Sequence, residues 1–482
     1  MTTRRLVARV PLAHLSPTFA AIRAREGVSE DRPAAVAKEV AIASEREEDP
    51  HIEDKRIDLS DIPFVTLDPA GARDLDQAVA ITRTRNGWRV RYAIADVAAH
   101  VVPGGAIDLD AWERVETVYC PDVRVGLHPP DLAEGFASLL PGQRTKAVVW
   151  DMAVAQDGSL CLHDVTRAWV RSRTQYAYDE LHEGATGEAA ELVASLGEVG
   201  TARRAAMDRA GAISLPKPSQ VVTSNGSGLH LEFRAGGGVE DDNAQVSLMT
   251  GMAAAKLMLE AGMGVLRTMP PASEDALTRL RRQAAAIGID WPADHSYAEV
   301  LHRIDPSSAK GAAFLTAAVA LFRGASWDHF DVERGTPVPE QPRHGALAAP
   351  YAHVTAPLRR LVDRYGTEVC LAHTSGRAVP EWAREGLQRV GKAMATAVAR
   401  SGRVDRACVD AVEAAVLAPH LGHVFTGVGL DEKTVQLENP AVVARCSGEI
   451  AVGRRQRVRL VSTDVENGPR FEALPLSLAP EP

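Results

Sequence analysis

Three aspartates fall within nine residues in the segment Thr66-Leu67-Asp68-Pro69-Ala70-Gly71-Ala72-Arg73-Asp74-Leu75-Asp76-Gln77-Ala78, directly after the apolar run Phe64-Val65-Thr66-Leu67. Pro69 and Gly71 favour a tight turn between them. Asp74 and Asp76 stand two apart, so in extended backbone both side chains face one side. A turn that carries Asp68 back toward them would gather three carboxylates at one point. Such a group repels itself unless protons or a cation compensate it, and hard oxygen donors suit Mg²⁺ or Mn²⁺. A divalent ion so held activates water and stabilises a phosphoryl transition state. A solvated acidic turn has the same spacing, and spacing does not choose between the two.

A second cluster follows Pro357. Arg359 and Arg360 stand at an expected helix start, where guanidinium and backbone N–H groups together can hold a phosphate. The competing reading pairs Arg360 with Asp363 or Glu368 in surface salt bridges, and treats Arg364 likewise. Arg445, Arg454, Arg455, Arg457 and Arg459 form the densest basic group. They would either track a phosphate backbone or line an exposed charged strand. His100, His128 and His353 read as structural histidines rather than ligands.

The elements that must position these groups follow from composition and periodicity. A chain of 482 residues, 45% apolar and 24% charged, predicts two to four globular domains. Its net charge of -9 excludes a surface that neutralises nucleic acid everywhere, but not a local basic channel. The five cysteines, 120, 161, 370, 408 and 446, offer no CxxC pair and read as a reduced set without a zinc site. The first residues carry no apolar h-region, and the longest apolar run is broken by Lys256 and Glu260, so a cytoplasmic protein with no membrane contact is expected.

Residues 16–44 read as one or two helices and 45–50 as a solvated linker. From about 62 to 170 strands dominate: Trp88, Val90, Tyr92 and Ile94 alternate after the turn signal Asn86-Gly87. Helices are expected over 189–209, 247–262, 274–285, 311–322 and 380–417, with strands at 220–223 and 229–233. Short strands at 422–428, 434–437, 441–445 and 455–462 suggest a small OB-type barrel. The fold class is therefore α+β, with a mixed sheet and surrounding helices. The expected domains are 1–57 (N-terminal, helical), 58–415 (catalytic) and 416–482 (barrel).

Four ordered blocks make the sequence resemble the ribonuclease II family, whose catalytic unit is the RNB domain. They are FVTLDPAGARDLDQAVAI, YAIADVAAHVVPGGAIDLDAWERVETVYCPD, LHPPDLAEGFASLLPGQRTKAVVWDM and YAHVTAPLRRLVDRYG. The second reads as a strand, a loop and an aromatic-Pro segment. The last 65 residues are similar to the family's C-terminal S1 barrel. The resemblance implies a metal-dependent 3′→5′ exoribonuclease that hydrolyses single-stranded RNA to nucleoside 5′-monophosphates, acting as a monomer. It assigns Asp68, Asp74 and Asp76 to metal and catalysis, Arg359 to the scissile phosphate with Arg360 beside it, and Tyr119 and Tyr178 to stacking on RNA. Stacking tolerates any base.

Two departures stand out. Gln77 replaces the family's next aspartate, and Gln245 is the nearest match to a family glutamate. They favour an alternative: an RNA-binding protein that keeps the fold with weakened or lost catalysis. A metal-dependent phosphodiesterase acting on a small nucleotide would explain the acidic loop but not the barrel. The 60 residues before the aspartate loop are too few for the family's cold-shock barrels, so weaker RNA grip is expected.

Overall fold

The computed structural model describes residues 10–475 apart from 48, 50, 51, 53, 54, 183, 216, 225–227, 235, 236 and 438. Parts of the expected linker, and the outer ends of the expected N-terminal segment and barrel, thus lie outside the described residues.

Helices α1 (Leu12–Arg25) and α2 (Ala34–Ser44) lead into a six-stranded mixed sheet. Its strands are β1 (Ile57–Asp58), β2 (Phe64–Asp68), β3 (Gln77–Thr84), β4 (Gly87–Ala95), β7 (Arg144–Ala155) and β8 (Leu160–Ala177). Helix α3 (Ala106–Arg114) and the two-stranded hairpin β5 (Val118–Tyr119) and β6 (Arg124–Val125) lie between β4 and β7. The order is β1-β8-β2-β3-β4-β7, and the long β8 also pairs with β7, so the sheet closes on itself. The alternation in β4 holds: Val90, Tyr92 and Ile94 enter one core, while Ala93 enters a second on the opposite face. Helix α3 falls where a loop was expected. Its buried Asp108 and Asp110 hide the apolar stripe from a periodicity count.

The sheet carries a buried ionic network. Asp96, just past β4, accepts from Arg56 Nη2 at 2.6 Å and faces Arg167 Nε at 3.5 Å. Arg167 continues to Glu368. Burial opposes ionisation of Asp96, but Arg167 and Arg56 outweigh it and hold its carboxyl well below the usual range. Glu368, at the far end, is pushed up by burial despite Arg167. The expected solvated linker is tied into the same region: Asp49 binds Lys146 Nζ and Arg56, each at 2.7 Å. Opposite charge, not length or composition, fixed that segment.

The helical half follows. Helices α4 (Tyr178–His182) and α5 (Glu188–Arg209) precede the hairpin β9 (Ser219–Ser224) and β10 (Leu229–Arg234). Helix α6 (Gly238–Ala261) starts nine residues before the expected 247, with Glu240 and Asp241 complementing the dipole of its first turn. Strand β11 (Met263–Thr268) precedes α7 (Glu274–Ile287), which is capped by Ser273 and buries Ala276, Leu280, Ala284 and Ile287. Next come α8 (Tyr297–Arg303), α9 (Ala309–Ala318), β12 (Ser326–Asp331), β13 (Arg343–His344) and β14 (Ala349–Pro350). Helices α10 (Leu361–Thr374) and α11 (Glu381–Leu417) close this half.

The C-terminal strands β15 (Val424–Gly429), β16 (Thr434–Leu437), β17 (Val442–Ser447), β18 (Arg455–Asp464) and β19 (Gly468–Ala473) form a closed barrel ordered β15-β16-β17-β19-β18. The fifth strand, β19, was not among the four expected; it pairs with β18 and β17. One apolar core joins this barrel to α11, to Leu15 and Phe19 of α1, and to Val118 and Val125 of the β5–β6 hairpin. On α11, Glu413 Oε1 accepts from Gln220 Nε2 of β9 at 2.6 Å and from Val443 N of β17 at 2.9 Å. Burial pushes its carboxyl up to about 7.

Candidate active site

The aspartate loop joins the end of β2 to the start of β3. Gly71 takes the left-handed turn that L side chains avoid, at φ 79°. Leu75 is fully buried and anchors the loop from below. Ser138 Oγ accepts from Leu75 N at 2.9 Å and donates to Arg73 O at 2.6 Å. Gln175 Nε2 of β8 donates to Ala72 O at 2.8 Å, and Ala95 N of β4 donates to Asp76 O at 2.9 Å. The loop backbone is thereby fixed to the sheet.

Asp76 is 4% exposed. Its Oδ1 accepts from Leu358 N at 2.8 Å, and its Oδ2 lies 3.3 Å from Arg359 Nε. Burial outweighs both partners and pushes its carboxyl up to about 8. Asp68, at the end of β2, is pushed up to about 7 by burial and then by the charge of Asp74. Its Oδ2 is buried with no hydrogen-bond partner. Asp74 is drawn instead to Arg124, which also binds Glu134. The expected convergence of all three on one point is therefore not reached: a charge-assisted bond to Arg124 takes Asp74 aside. Among the described residues, no three His, Cys, Asp or Glu side chains stand close enough to hold a metal ion.

Arg359 and Arg360 precede α10 rather than forming its first turn: Arg360 is extended, at φ -136°. They run antiparallel to residues 115–117, with Thr117 N donating to Arg359 O at 3.0 Å and Leu361 N to Val115 O at 2.9 Å. Val115 adopts φ 69° to make this pairing, a conformation costing a β-branched residue on the order of 1–3 kcal/mol. Arg360 is committed to Asp363, through Nε at 3.0 Å and Nη2 at 2.8 Å. Arg359 keeps 45% of its side-chain surface open beside Asp76. Tyr119 is 53% exposed, yet burial still raises the pKa of its phenol, with Arg359, Asp74 and Asp76 acting on it.

Gln77 opens β3 next to Asp76. Its Nε2 donates to Thr355 O at 2.6 Å, and its Oε1 accepts from Tyr92 Oη at 2.5 Å and from Ser247 Oγ at 3.4 Å. Both ends of the amide are occupied by protein. Tyr178, at the start of α4, accepts from Asn243 Nδ2 of α6 at 2.8 Å, and burial pushes its phenol up to about 12, with Asp68 adding to the rise. Asn243 Oδ1 and Gln245 Oε1 are buried without partners. His353 Nδ1 accepts from Trp327 Nε1 at 3.4 Å, while His100 and His128 are buried.

The donor chemistry fits a hard divalent cation. It is all oxygen, its negative charge is undercompensated, and Asp68 Oδ2 is orphaned. Gln77 does not add a ligand, because its carbonyl is already bound. Sequence reasoning missed Arg124, Glu134, Ser138 and the Tyr92–Ser247 pair. Arg124 lies between the second and third of the four blocks, and nothing local marks its bond to Asp74.

Comparison with known proteins gives a consistent picture. Residues 56–369 match the RNB domain, and residues 424–472 match the RNase II-type exonuclease C-terminal S1 domain. Ribonuclease R of Vibrio cholerae is 26% identical over 444 residues, covering 85% of this chain and 52% of that protein. The chain spans about half the length of the curated relatives it matches. The solved structure of Mycoplasma genitalium RNase R in complex with ribose methylated single-stranded RNA is similar in fold. Its TM-score is 0.83 over 95% of this chain and 78% of that chain, at 17% identity. Yeast Ssd1, described as a pseudonuclease, is similar at a TM-score of 0.63 and 14% identity, covering 84% of this chain and 50% of that chain.

Proposed function

Because this chain belongs to the RNB-domain family, we propose that it is a cytoplasmic, monomeric, metal-dependent 3′→5′ exoribonuclease. Single-stranded RNA is its substrate and nucleoside 5′-monophosphates its products. The observation that carries this reading is the pair of undercompensated carboxylates, the buried Asp76 and the half-buried Asp68 with its unpartnered Oδ2, beside the half-open Arg359. A structural ion pair would be neutralised; these two await a cation.

Asp68 and Asp76 are the residues to hold Mg²⁺ or Mn²⁺, which when bound supplies an activated water and charge for the phosphate. Asp74, shared with Arg124, adds negative charge beside them and is the third member expected of the set. Arg359 exchanges its contact with Asp76 for a phosphate oxygen and holds the charge that develops there. Arg360, bound to Asp363, keeps the Ala356–Arg359 turn in place, since Asp363 Oδ2 also accepts from Ala356 N at 2.7 Å. Tyr119 offers an open ring for a base or ribose, and Tyr178 a second, deeper one. Toward the barrel, a groove of about 1250 Å³ between α7 and the β-strands carries Arg282, Lys433, Arg445 and Arg470 beside Asp431 and Glu432, a net-positive lining that could follow a phosphate backbone. None of the carboxylate-site residues lines it.

The second reading, an RNA-binding protein with little or no catalysis, is favoured by Gln77, whose amide is consumed by Thr355 and Tyr92. One experiment separates the two. A 5′-labelled single-stranded RNA is digested with Mg²⁺ or Mn²⁺, wild type beside Asp76→Asn. Stepwise shortening from the 3′ end by wild type alone supports the exoribonuclease. Binding without shortening in both metals moves the assignment to the RNA-binding reading.

A further inference from the structure

Arg124 sits on β6 directly opposite Tyr119 of β5, on a hairpin that is itself fixed. Val118 and Val125 enter the core shared with the barrel, and Cys120 N donates to Val123 O at 2.9 Å across the turn. Arg23 Nη1 of α1 donates to Asp122 Oδ1 at 2.7 Å. From this support the Arg124 guanidinium forks between two carboxylates: Nη1 donates to Asp74 Oδ1 and Nη2 to Glu134 Oε1. Glu134 lies in the helical turn Leu132–Phe136, and the residues just after that turn are bound to the aspartate loop. Leu139 N donates to Leu75 O at 3.0 Å, and Ser138 holds both Leu75 N and Arg73 O. The two carboxylates therefore share one frame, while the guanidinium between them comes from a separate element.

The two partners are not equivalent. Asp74 stands two residues from Asp76, and its charge already adds to the rise at Asp68. Glu134 lies outside that set. A guanidinium released from one carboxylate stays satisfied where a second is already bound, and its planar fork suits two partners at once. A cavity of about 180 Å³, lined by Arg124, Asp74, Glu134 and Leu358 among others, gives it room to withdraw. The Asp74 side chain is 14% exposed and that of Glu134 29%, so the guanidinium moves toward solvent as it leaves the first for the second.

We propose that Arg124 is a positioning residue that caps Asp74, and that Glu134 retains its guanidinium when Asp74 turns to a divalent cation held by Asp68 and Asp76. This role rests on the reading of those two aspartates as cation ligands. Arg124 is then an internal competitor. It relieves repulsion within the acidic loop, and its release sets part of the cost of binding the ion.

The test titrates the full chain with Mn²⁺ and Mg²⁺ in the absence of RNA, by electron paramagnetic resonance for Mn²⁺ and by calorimetry for both. Wild type is compared with Arg124→Met, Glu134→Gln and the double variant. Arg124→Met should bind the cation about tenfold more tightly, and Glu134→Gln about tenfold more weakly. Simple removal of charge gives the same two signs, so the double variant decides. Where Glu134 acts only through Arg124, its substitution loses its effect in the Arg124→Met background, and the double variant matches Arg124→Met within about twofold. Effects that merely add, returning the double variant to near the wild-type affinity, would overturn the proposal and leave the metal reading intact. An Arg124→Met chain that binds no more tightly than wild type would do the same. Absence of binding by all four chains would overturn the metal reading itself, and this role with it. Should Arg124→Met fail to fold, Arg124→Gln takes its place with the same expected order.

Discussion

Two groups of carboxylates are buried against the same sheet, and they are treated in opposite ways. Asp96 sits between Arg56 and Arg167, and its carboxyl is held down. Asp76 is buried about as deeply and Asp68 partly, but the two share one half-exposed guanidinium, and burial drives both upward. Burial costs a carboxylate the same solvation in either place; what differs is the count and placement of cations. A structural acid is given its counter-charge by the fold. A functional acid is left short of it, so that a ligand can supply the rest.

The same substitution on each side breaks or supports that contrast. Arg167→Met strands Asp96 and Glu368 in the interior, and a loss of about 3–5 kcal/mol in urea unfolding is expected. Arg359→Met should cost under about 1 kcal/mol, because Asp76 already favours its proton, but should lower the RNA cleavage rate about a hundredfold or more. Equal destabilisation by the two variants would erase the distinction.

Glu413 sharpens it further, being hydrogen-bonded twice but held up to about 7 by burial. The folded chain keeps a proton that the unfolded chain releases above about pH 4.5, so this group's contribution falls as pH rises from about 4.5 to 7 and is flat beyond. Glu413→Gln retains an acceptor for both bonds. At pH 8 it should exceed wild type by up to about 3 kcal/mol, with no gain at pH 4. A gain that does not depend on pH would mean packing, not charge, is responsible. The smallest effect concerns the cation itself. Mg²⁺ at about ten times its dissociation constant should stabilise wild type by about 1–2 kcal/mol in thermal unfolding, and should leave Asp68→Asn unmoved.

Much of this was legible before any coordinates. The Pro-Gly turn after an apolar run placed the aspartate loop, and alternation placed β4. Short, evenly spaced strands announced the barrel. What escaped was long-range pairing between side chains. Arg124 captures Asp74 from fifty positions away, and Thr355 captures Gln77 from 278 positions away. The Asp49 segment read as solvated because its partners, Lys146 and Arg56, are not local to it. Helix α3 escaped because Asp108 and Asp110 are buried polar residues, Asp108 bound by Arg364 at 2.6 Å and Asp110 by Arg32 and Arg114.

Helix α11 runs for 37 residues, about 55 Å, and lays its first stretch, Ala383 to Ala397, into the catalytic half and its last, Val404 to Leu417, into the core it shares with the barrel. Val404, Cys408 and Val412 share their core with Val435, Val458 and Phe471 of the barrel and with Phe19 of α1. The boundary that sequence comparison draws before residue 424 is therefore a boundary of ancestry, not of folding. Cutting there would bare a strip of aliphatic and aromatic side chains along the helix, and a fragment so trimmed is expected to precipitate or to find a second copy of itself. A recombinant catalytic unit has to keep its barrel to stay in solution.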